Sequence, residues 1–229
     1  MEINLSQRLR NVAHFVPNGS KLLDVGSDHA YLPIFLLENG KISSAIAGEV
    51  VKGPFESALK NVSEYGLAQK IEVRLANGLA AFEPSDQIKV ITICGMGGRL
   101  IADILEAGKE KLTTVERLIL QPNNREDDLR SWLQTNHFQI VAESILAEND
   151  KYYEIIVAEH GQQVMVAKEL RFGPILGLEK TQIFKEKWSR EFDKLEYALS
   201  CIPEDNLLDR SAIKQKMQTI KEAISDEGK

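Results

Sequence analysis

Asp24, Gly26 and Glu49 stand at or just beyond the ends of short apolar runs, where a nucleoside-bearing cofactor is held in many α/β proteins. In KLLDVGSDHAYLP (residues 21–33) the run stops at Asp24. Gly26 lets a ligand approach the backbone with no Cβ in the way, and the free N–H groups opening the next helix near Ala30 can take an anion. The turn lacks the three glycines of a dinucleotide fingerprint, so it suits a smaller anion such as an amino-acid carboxylate better than a pyrophosphate. Glu49 ends the second run, where an acid takes both hydroxyls of a ribose. Asn77 follows the third run, within reach of an adenine edge. Adenine, ribose and an amino-acid tail together describe S-adenosylmethionine. Taken singly, these residues read equally well as ordinary caps and turns; their order along successive strands joins them.

These residues need strands and helices in alternation to bring them together. Short runs rich in Ile, Val and Leu at residues 21–25, 45–50, 71–75, 90–94 and 117–121 read as buried strands. Helical stretches lie between them at 31–38, 54–65, 98–107 and 126–136, which demands parallel strands with right-handed crossovers. In FQIVAESILAENDKYYEIIVAEHG two strand-like runs flank the turn-forming residues 148–151, so a hairpin closes the sheet. The fold class is α/β, a doubly wound sheet of about seven strands. An N-terminal helix precedes it, with Asn4 and Gln7 spaced as a capping box. Beyond FGPILG, residues Phe184, Trp188, Phe192, Leu195, Leu199 and Ile202 step by four or three, and Ile213, Met217, Ile220 and Ile224 repeat the pattern. They predict an antiparallel coiled-coil hairpin whose aromatic stripe is its own core. The expected domains are residues 1–161 for the cofactor-binding unit and 162–229 for the hairpin.

With 43% apolar and 27% charged residues, the 229-residue chain has the composition of a globular protein, and no apolar run reaches membrane-span length. The N-terminus carries no secretory pattern, so a cytoplasmic location is expected. Cys94 and Cys201 are far apart and the four histidines scattered, so neither a disulfide framework nor a metal site is expected. A net charge of −6 counts against a sequence-blind nucleic-acid binder but allows a local basic face, with Arg8, Arg10, Arg99, Arg125 and Arg130 as candidates.

The strings LDVGSDHAYLP, AIAGEVVKGPFESA, ANGL, ITICGMGG, LILQPN and YYEIIVAEHG resemble the bacterial tRNA (adenine-22-N1)-methyltransferase family, in order from Leu5 to the end of the chain. That resemblance implies a class I Rossmann-like methyltransferase domain with a C-terminal coiled-coil hairpin. The implied reaction moves a methyl group from S-adenosylmethionine to N1 of an adenine in the D arm of tRNA. By the same resemblance Gly26, Ser27, Asp28, His29, Glu49, Val50, Asn77, Gly78, Cys94, Gly95 and Met96 line the cofactor cleft together with Asp24. Cys94 stands where relatives carry a small residue, and a small buried hydrophobe is its expected role.

Cys94-Gly95-Met96-Gly97-Gly98 also favours a ring-nitrogen target on chemical grounds. Enzymes that methylate exocyclic amines commonly place an Asp or Asn acceptor at this strand end, and none is present here. N1 of adenine has an in-plane lone pair and loses no proton, so positioning supplies most of the catalysis. Attack on the sulfonium carbon leaves positive charge on the adenine, which a carboxylate stabilises. Asp28 is the expected catalytic residue, holding the exocyclic amine, with His29 or Asn123 orienting it. N1 lies on the Watson–Crick edge, so the base must be extruded at a cost of about a few kcal/mol. Phosphate contacts from Arg8, Arg10, Arg99 and Arg125, with the hairpin as a clamp on tRNA, are expected to offset that. Oligomeric state is expected to be monomer or weak dimer. The rival readings are a methyltransferase acting on another RNA or a small molecule, an NAD-dependent oxidoreductase disfavoured by the missing glycines, and a non-enzymatic cofactor-binding adaptor.

Overall fold

The five apolar runs form β1 (Ser20–Val25), β2 (Ile42–Glu49), β3 (Ile71–Leu75), β4 (Val90–Met96) and β5 (Arg117–Pro122) in a computed structural model that describes residues 3–225. The hairpin strands β6 (Phe138–Glu148) and β7 (Lys151–His160) complete a seven-stranded sheet of order β3-β2-β1-β4-β5-β7-β6. The first five strands are parallel, and β7 runs antiparallel to both β5 and β6. The order reverses between β1 and β4, so the crevice of a doubly wound sheet opens where Gly26 and Gly95 lie.

Successive strand residues point to opposite faces, and each face carries its own core. Leu22 and Val90 pack on one side beneath α1 (Gln7–Phe15), α2 (Tyr31–Glu38) and α3 (Lys52–Glu64). Leu23, Ile91 and Ile93 pack on the other beneath α4 (Gly98–Ala107) and α5 (Glu126–Thr135). Both faces are covered, which is why these strands read as continuous apolar runs rather than alternating ones.

The cap of α1 differs from expectation. Ser6, not Asn4, accepts from the Leu9 N–H at 3.2 Å, while Asn4 Oδ1 takes a hydrogen bond from Arg10. Glu148, at the end of β6, completes the cap by accepting from the Gln7 and Arg8 backbone N–H groups at 2.7 and 3.2 Å. A carboxylate at a helix N-terminus satisfies free donors and the helix dipole together. The β6–β7 turn contracts to Asn149 and Asp150, both left-handed, as a two-residue hairpin requires.

After α6 (Ala167–Phe172) and α7 (Leu176–Glu179), α8 (Gln182–Cys201) and α9 (Leu207–Ile224) run antiparallel, with Lys180, which caps α7 just before α8, bonded to the Ser225 carbonyl that ends α9. The aromatic stripe is not the hairpin's private core. Phe184 and Trp188 join Ile145 of β6, Phe172 and Leu176 with Ile220 and Ala223, so the root of the hairpin is sealed onto the sheet domain while its outer part stays exposed or half-buried. Residues 1–2 and 226–229 of the expected domains lie outside the described residues.

Arg130 also departs from expectation. It is fully buried and bonds Glu143 and Glu154 at 2.7 and 2.6 Å, so it takes no part in a basic face. Two carboxylates turned inward from β6 and β7 need a buried cation, and removing it would leave uncompensated charge.

Candidate active site

The turn after β1 is built from left-handed residues. Gly26 has φ +66°, and Asp28, His29 and Ala30 follow at φ 39°, 65° and 58°. Non-glycine residues visit this region rarely, and such clusters mark sites whose surroundings dictate the backbone. Four hydrogen bonds dictate it here. Gly26 and Ser27 donate their N–H groups to the Gly48 carbonyl at 2.9 and 3.2 Å. The Ser27 hydroxyl donates to Asp24 Oδ2 at 2.6 Å, and the Asp28 N–H donates to Glu49 Oε1 at 2.5 Å. At Gly26 a Cβ would collide with the Met96 methyl, which ties this turn to the tip of β4.

Asp24 lies beneath the turn with its other oxygen accepting from the Thr92 hydroxyl at 2.6 Å. Burial pushes its carboxyl up to about 6, against the pull of the Ser27 and Thr92 hydrogen bonds and with help from the charge of Glu49. Both oxygens are engaged by side chains, so Asp24 acts as a strut under the turn. Glu49 is buried at the tip of β2, and burial raises its carboxyl too. Beside it Val50 is exposed on the rim, and the Ala76 N–H donates to the Glu49 carbonyl at 2.7 Å. That bond draws in the tip of β3, where Asn77 is exposed and Gly78, at φ +55°, packs against Ile104.

At β4 and β5 a closed ring of amides appears. Gln121, fully buried, accepts through Oε1 from Arg8 and from the Gly95 N–H at 2.9 Å. Its Nε2 donates to Asn123 Oδ1 at 3.1 Å, and Asn123 Nδ2 donates to the Gly95 carbonyl at 2.7 Å. Asn123 and Gly95 are thus locked face to face, with Arg8 behind them and its guanidinium 5.5 Å over the Tyr153 ring. Cys94 is half-buried, and burial, then the charge of Asp24, raises its thiol above the ordinary range. That keeps it a thiol, in line with the packing role expected of it.

The expected residues of the cofactor cleft therefore gather at the tips of β1 to β4, and Asn123 joins them from β5. Asp28 and His29 sit at the mouth, 3.4 Å apart and solvent-exposed, with the His29 ring stacked on Tyr31. The four arginines disperse. Arg8 is inside the amide ring, Arg10 holds Asn4 and the Leu5 carbonyl, Arg99 pairs with Asp103 on α4, and Arg125 pairs with Asp128. Beside the site runs a groove of about 680 Å³ between the β5–α5 loop, the β6–β7 turn and α8. Its walls carry Asn123, Tyr152, Arg125, Lys151, Arg171 and Arg190 beside the acids Glu126, Asp127, Asp150 and Glu191, and of the four arginines only Arg125 belongs to it. Gln121 and the groove were both missed from sequence, because their partners are distant in the chain.

Strand tips that converge at a topological switch point, with an acid ending β2 and no phosphate-binding glycine set, define a nucleoside-cofactor enzyme of the Rossmann-like class. The chain belongs to the TrmK family, tRNA (adenine(22)-N(1))-methyltransferase, whose model matches residues 22–222. It is 42% identical to the tRNA (adenine(22)-N(1))-methyltransferase of Bacillus subtilis, over 97% of this chain and 98% of that one. A putative tRNA (m1A22) methyltransferase of Streptococcus pneumoniae, solved in complex with S-adenosyl-L-methionine, superposes with a TM-score of 0.92 at 60% identity, covering 97% of this chain and 100% of the other. The M. capricolum TrmK, solved with S-adenosyl-homocysteine, gives 0.86 at 30% identity, covering 96% and 97%.

Proposed function

We propose that this chain transfers the methyl group of S-adenosylmethionine to N1 of adenine 22 in tRNA, and that the cleft at the tips of β1 to β4 is where it does so. The observation that carries the reading is the pairing of a buried acid on β2 with a β4 tip that presents no proton acceptor. The residues fit the cofactor. Glu49 is positioned for the ribose hydroxyls, the left-handed turn at residues 26–30 for the amino-acid end, and Asn77 with Gly78 for the adenine edge. Val50 and Met96 supply apolar rim. The bound cofactor supplies an electrophilic methyl on a sulfonium centre.

The protein's own groups position and stabilise. The Asn123 carboxamide is committed on both sides, to Gln121 and to Gly95, so it shapes the acceptor pocket and takes no proton. N1 needs none removed. Asp28 holds the exocyclic amine of the extruded adenine, with His29 beside it, and its carboxylate stabilises the positive charge that develops on the ring. The cations of the groove, Arg125 included, take RNA phosphates near the target, Arg99 contributes at the mouth, and the exposed hairpin clamps the folded tRNA; Arg8 and Arg10 are held by partners within the protein and take no phosphate. The chain works as a monomer or weak dimer in the cytoplasm; no helix among the described residues is long and apolar enough to cross a membrane.

The test is to incubate the purified chain with unmodified tRNA and methyl-labelled cofactor, then map the modified nucleotide by primer-extension arrest. One arrest at adenine 22, absent when that base is replaced by guanine, is expected. Label at another position, in another RNA class only, or nowhere would overturn the reading.

A further inference from the structure

Lys187 is a largely buried cation outside the proposed cofactor cleft. It projects from α8 between two acids, 2.7 Å from Glu126 Oε1 and 2.7 Å from Glu154 Oε1. Glu154 continues to Arg130, and Arg130 to Glu143, whose second oxygen accepts from the Ile175 and Leu176 N–H groups between α6 and α8. Burial alone would raise Glu154, but Lys187 and Arg130 hold its carboxyl below the ordinary range. A buried chain of charges like this contributes little net stability, because desolvation offsets most of the attraction, and its better-attested use is to fix one arrangement over others.

The end of that chain is informative. Glu126 is the first residue of α5, and only residues 123–125 separate it from β5. Those three residues are tightly fitted. The Asn123 N–H donates to the Met96 carbonyl at 2.7 Å, the Gly98 N–H donates to the Asn124 carbonyl at 2.8 Å, and Arg125 is left-handed at φ 56°. A Cβ on Gly98 would collide with the Arg125 carbonyl. A shift of Glu126 therefore displaces Asn123 and the β4 tip with it. Lys187 forms part of the groove wall beside Asn123 and Arg125, with its ammonium committed to Glu126 and Glu154 rather than to a phosphate.

We infer that Lys187 is a positioning residue. By bridging α8 to the first residue of α5, it transmits the docking of RNA against the hairpin into the loop that presents Asn123 to the reacting base. The ion pairs and the tightly fitted loop form one continuous line of contacts from α8 to Asn123. This inference rests on the methyl-transfer reading above.

The experiment compares Lys187→Met, Lys187→Arg and Glu126→Gln with the wild-type full chain. It measures kcat, the KM for tRNA, cofactor affinity by calorimetry and the melting temperature. A loosened loop is expected to lower kcat about tenfold in Lys187→Met and Glu126→Gln, since misplacement of about 1 Å costs up to about a hundredfold. The KM for tRNA and the cofactor dissociation constant should stay within about twofold, and Lys187→Arg should keep most of kcat. Glu126→Gln leaves the Lys187–Glu154 pair intact, so it decides the matter if Lys187→Met does not fold. Unchanged kcat, a defect confined to KM, a loss matching the unfolded fraction, or Lys187→Arg no better than Lys187→Met would each overturn the inference. A wild-type chain that methylates no tRNA would sink the functional reading instead.

Discussion

Gln121 donates from Nε2 to Asn123 Oδ1 at 3.1 Å, and this contact decides which end of the Asn123 carboxamide faces Gly95. Gln121→Glu keeps an acceptor for Arg8 and the Gly95 N–H but loses the donor to Asn123. It is expected to lower kcat about tenfold or more while leaving cofactor affinity near wild type. Gln121→Leu also strands the Gly95 N–H and the Arg8 guanidinium, at a further cost of about 1–3 kcal/mol in denaturant unfolding. Equal kcat for wild type and Gln121→Glu would show that the amide ring is only structural.

Glu49→Gln still accepts from the Asp28 N–H but loses the charge expected to hold a ribose diol. Cofactor affinity should fall about tenfold or more, a loss of at least about 1.4 kcal/mol, while the KM for tRNA stays put. Calorimetric titration reads this directly, and unaltered affinity would take Glu49 out of the cofactor site.

Asp24 gives the fold a pH dependence of known sign. Its carboxyl is raised to about 6 from an ordinary 3.8, chiefly by burial, so the folded state favours the protonated form. The stability this contributes is complete below the ordinary value and is lost as pH rises through about 6, an effect on the order of 3 kcal/mol. Asp24→Asn lacks that loss. Its unfolding free energy relative to wild type should therefore improve from about pH 4 to pH 7; a flat difference across that range would mean the carboxyl is not raised.

The exposed part of the hairpin is separable from its root. Replacing residues 196–213 with a short turn keeps Phe184, Trp188, Ile220 and Ala223 in their cluster. The shortened chain should fold and bind cofactor within about twofold of wild type, yet bind tRNA about tenfold more weakly, a loss of about 1.4 kcal/mol. Removing everything from residue 180 onward would strip the cover from Phe172 and Leu176 and confuse RNA binding with folding. Intact tRNA affinity in the shortened chain would dismiss the clamp.

Lys151 and Arg190 line the groove, and Arg190 reaches the Asp150 carbonyl at 2.7 Å. Lys151→Glu and Arg190→Glu should each weaken tRNA binding and lower the slope of affinity against salt by about one. Arg10→Ala is the contrast, because its guanidinium is occupied with Asn4 and the Leu5 carbonyl. A larger defect from Arg10→Ala than from either charge reversal would move the RNA path away from the groove.

The strands, and the way their ends bring Gly26, Glu49 and Asn77 together, were legible in the sequence, whereas the partners of Arg130 and Gln121, distant in the chain, were not. Strands buried on both faces announce themselves as apolar runs, and Gly26, Glu49 and Asn77 follow from their ends. The β2 strand begins at Ile42 rather than residue 45 because Ser43 and Ser44 interrupt its apolar pattern. Ser6 displaced Asn4 as a cap because both are good acceptors and only the helix start chooses between them. Arg130 looked like any surface arginine, since its partners sit 13 and 24 residues away on strands that turn acids inward. Gln121 read as the last residue of a strand, its purpose set by Arg8, 113 positions earlier.

Asp28, His29 and Ala30 stand consecutively in a conformation costing about 1–3 kcal/mol apiece, held there by the Gly48 carbonyl and the Glu49 carboxylate beneath the turn. The entropic expense of arranging that backbone falls on folding rather than on association. Replacing Ala30 with glycine removes one of these strained side chains and should raise thermal stability, read as the melting temperature, while cofactor affinity falls if this backbone forms the proposed cradle.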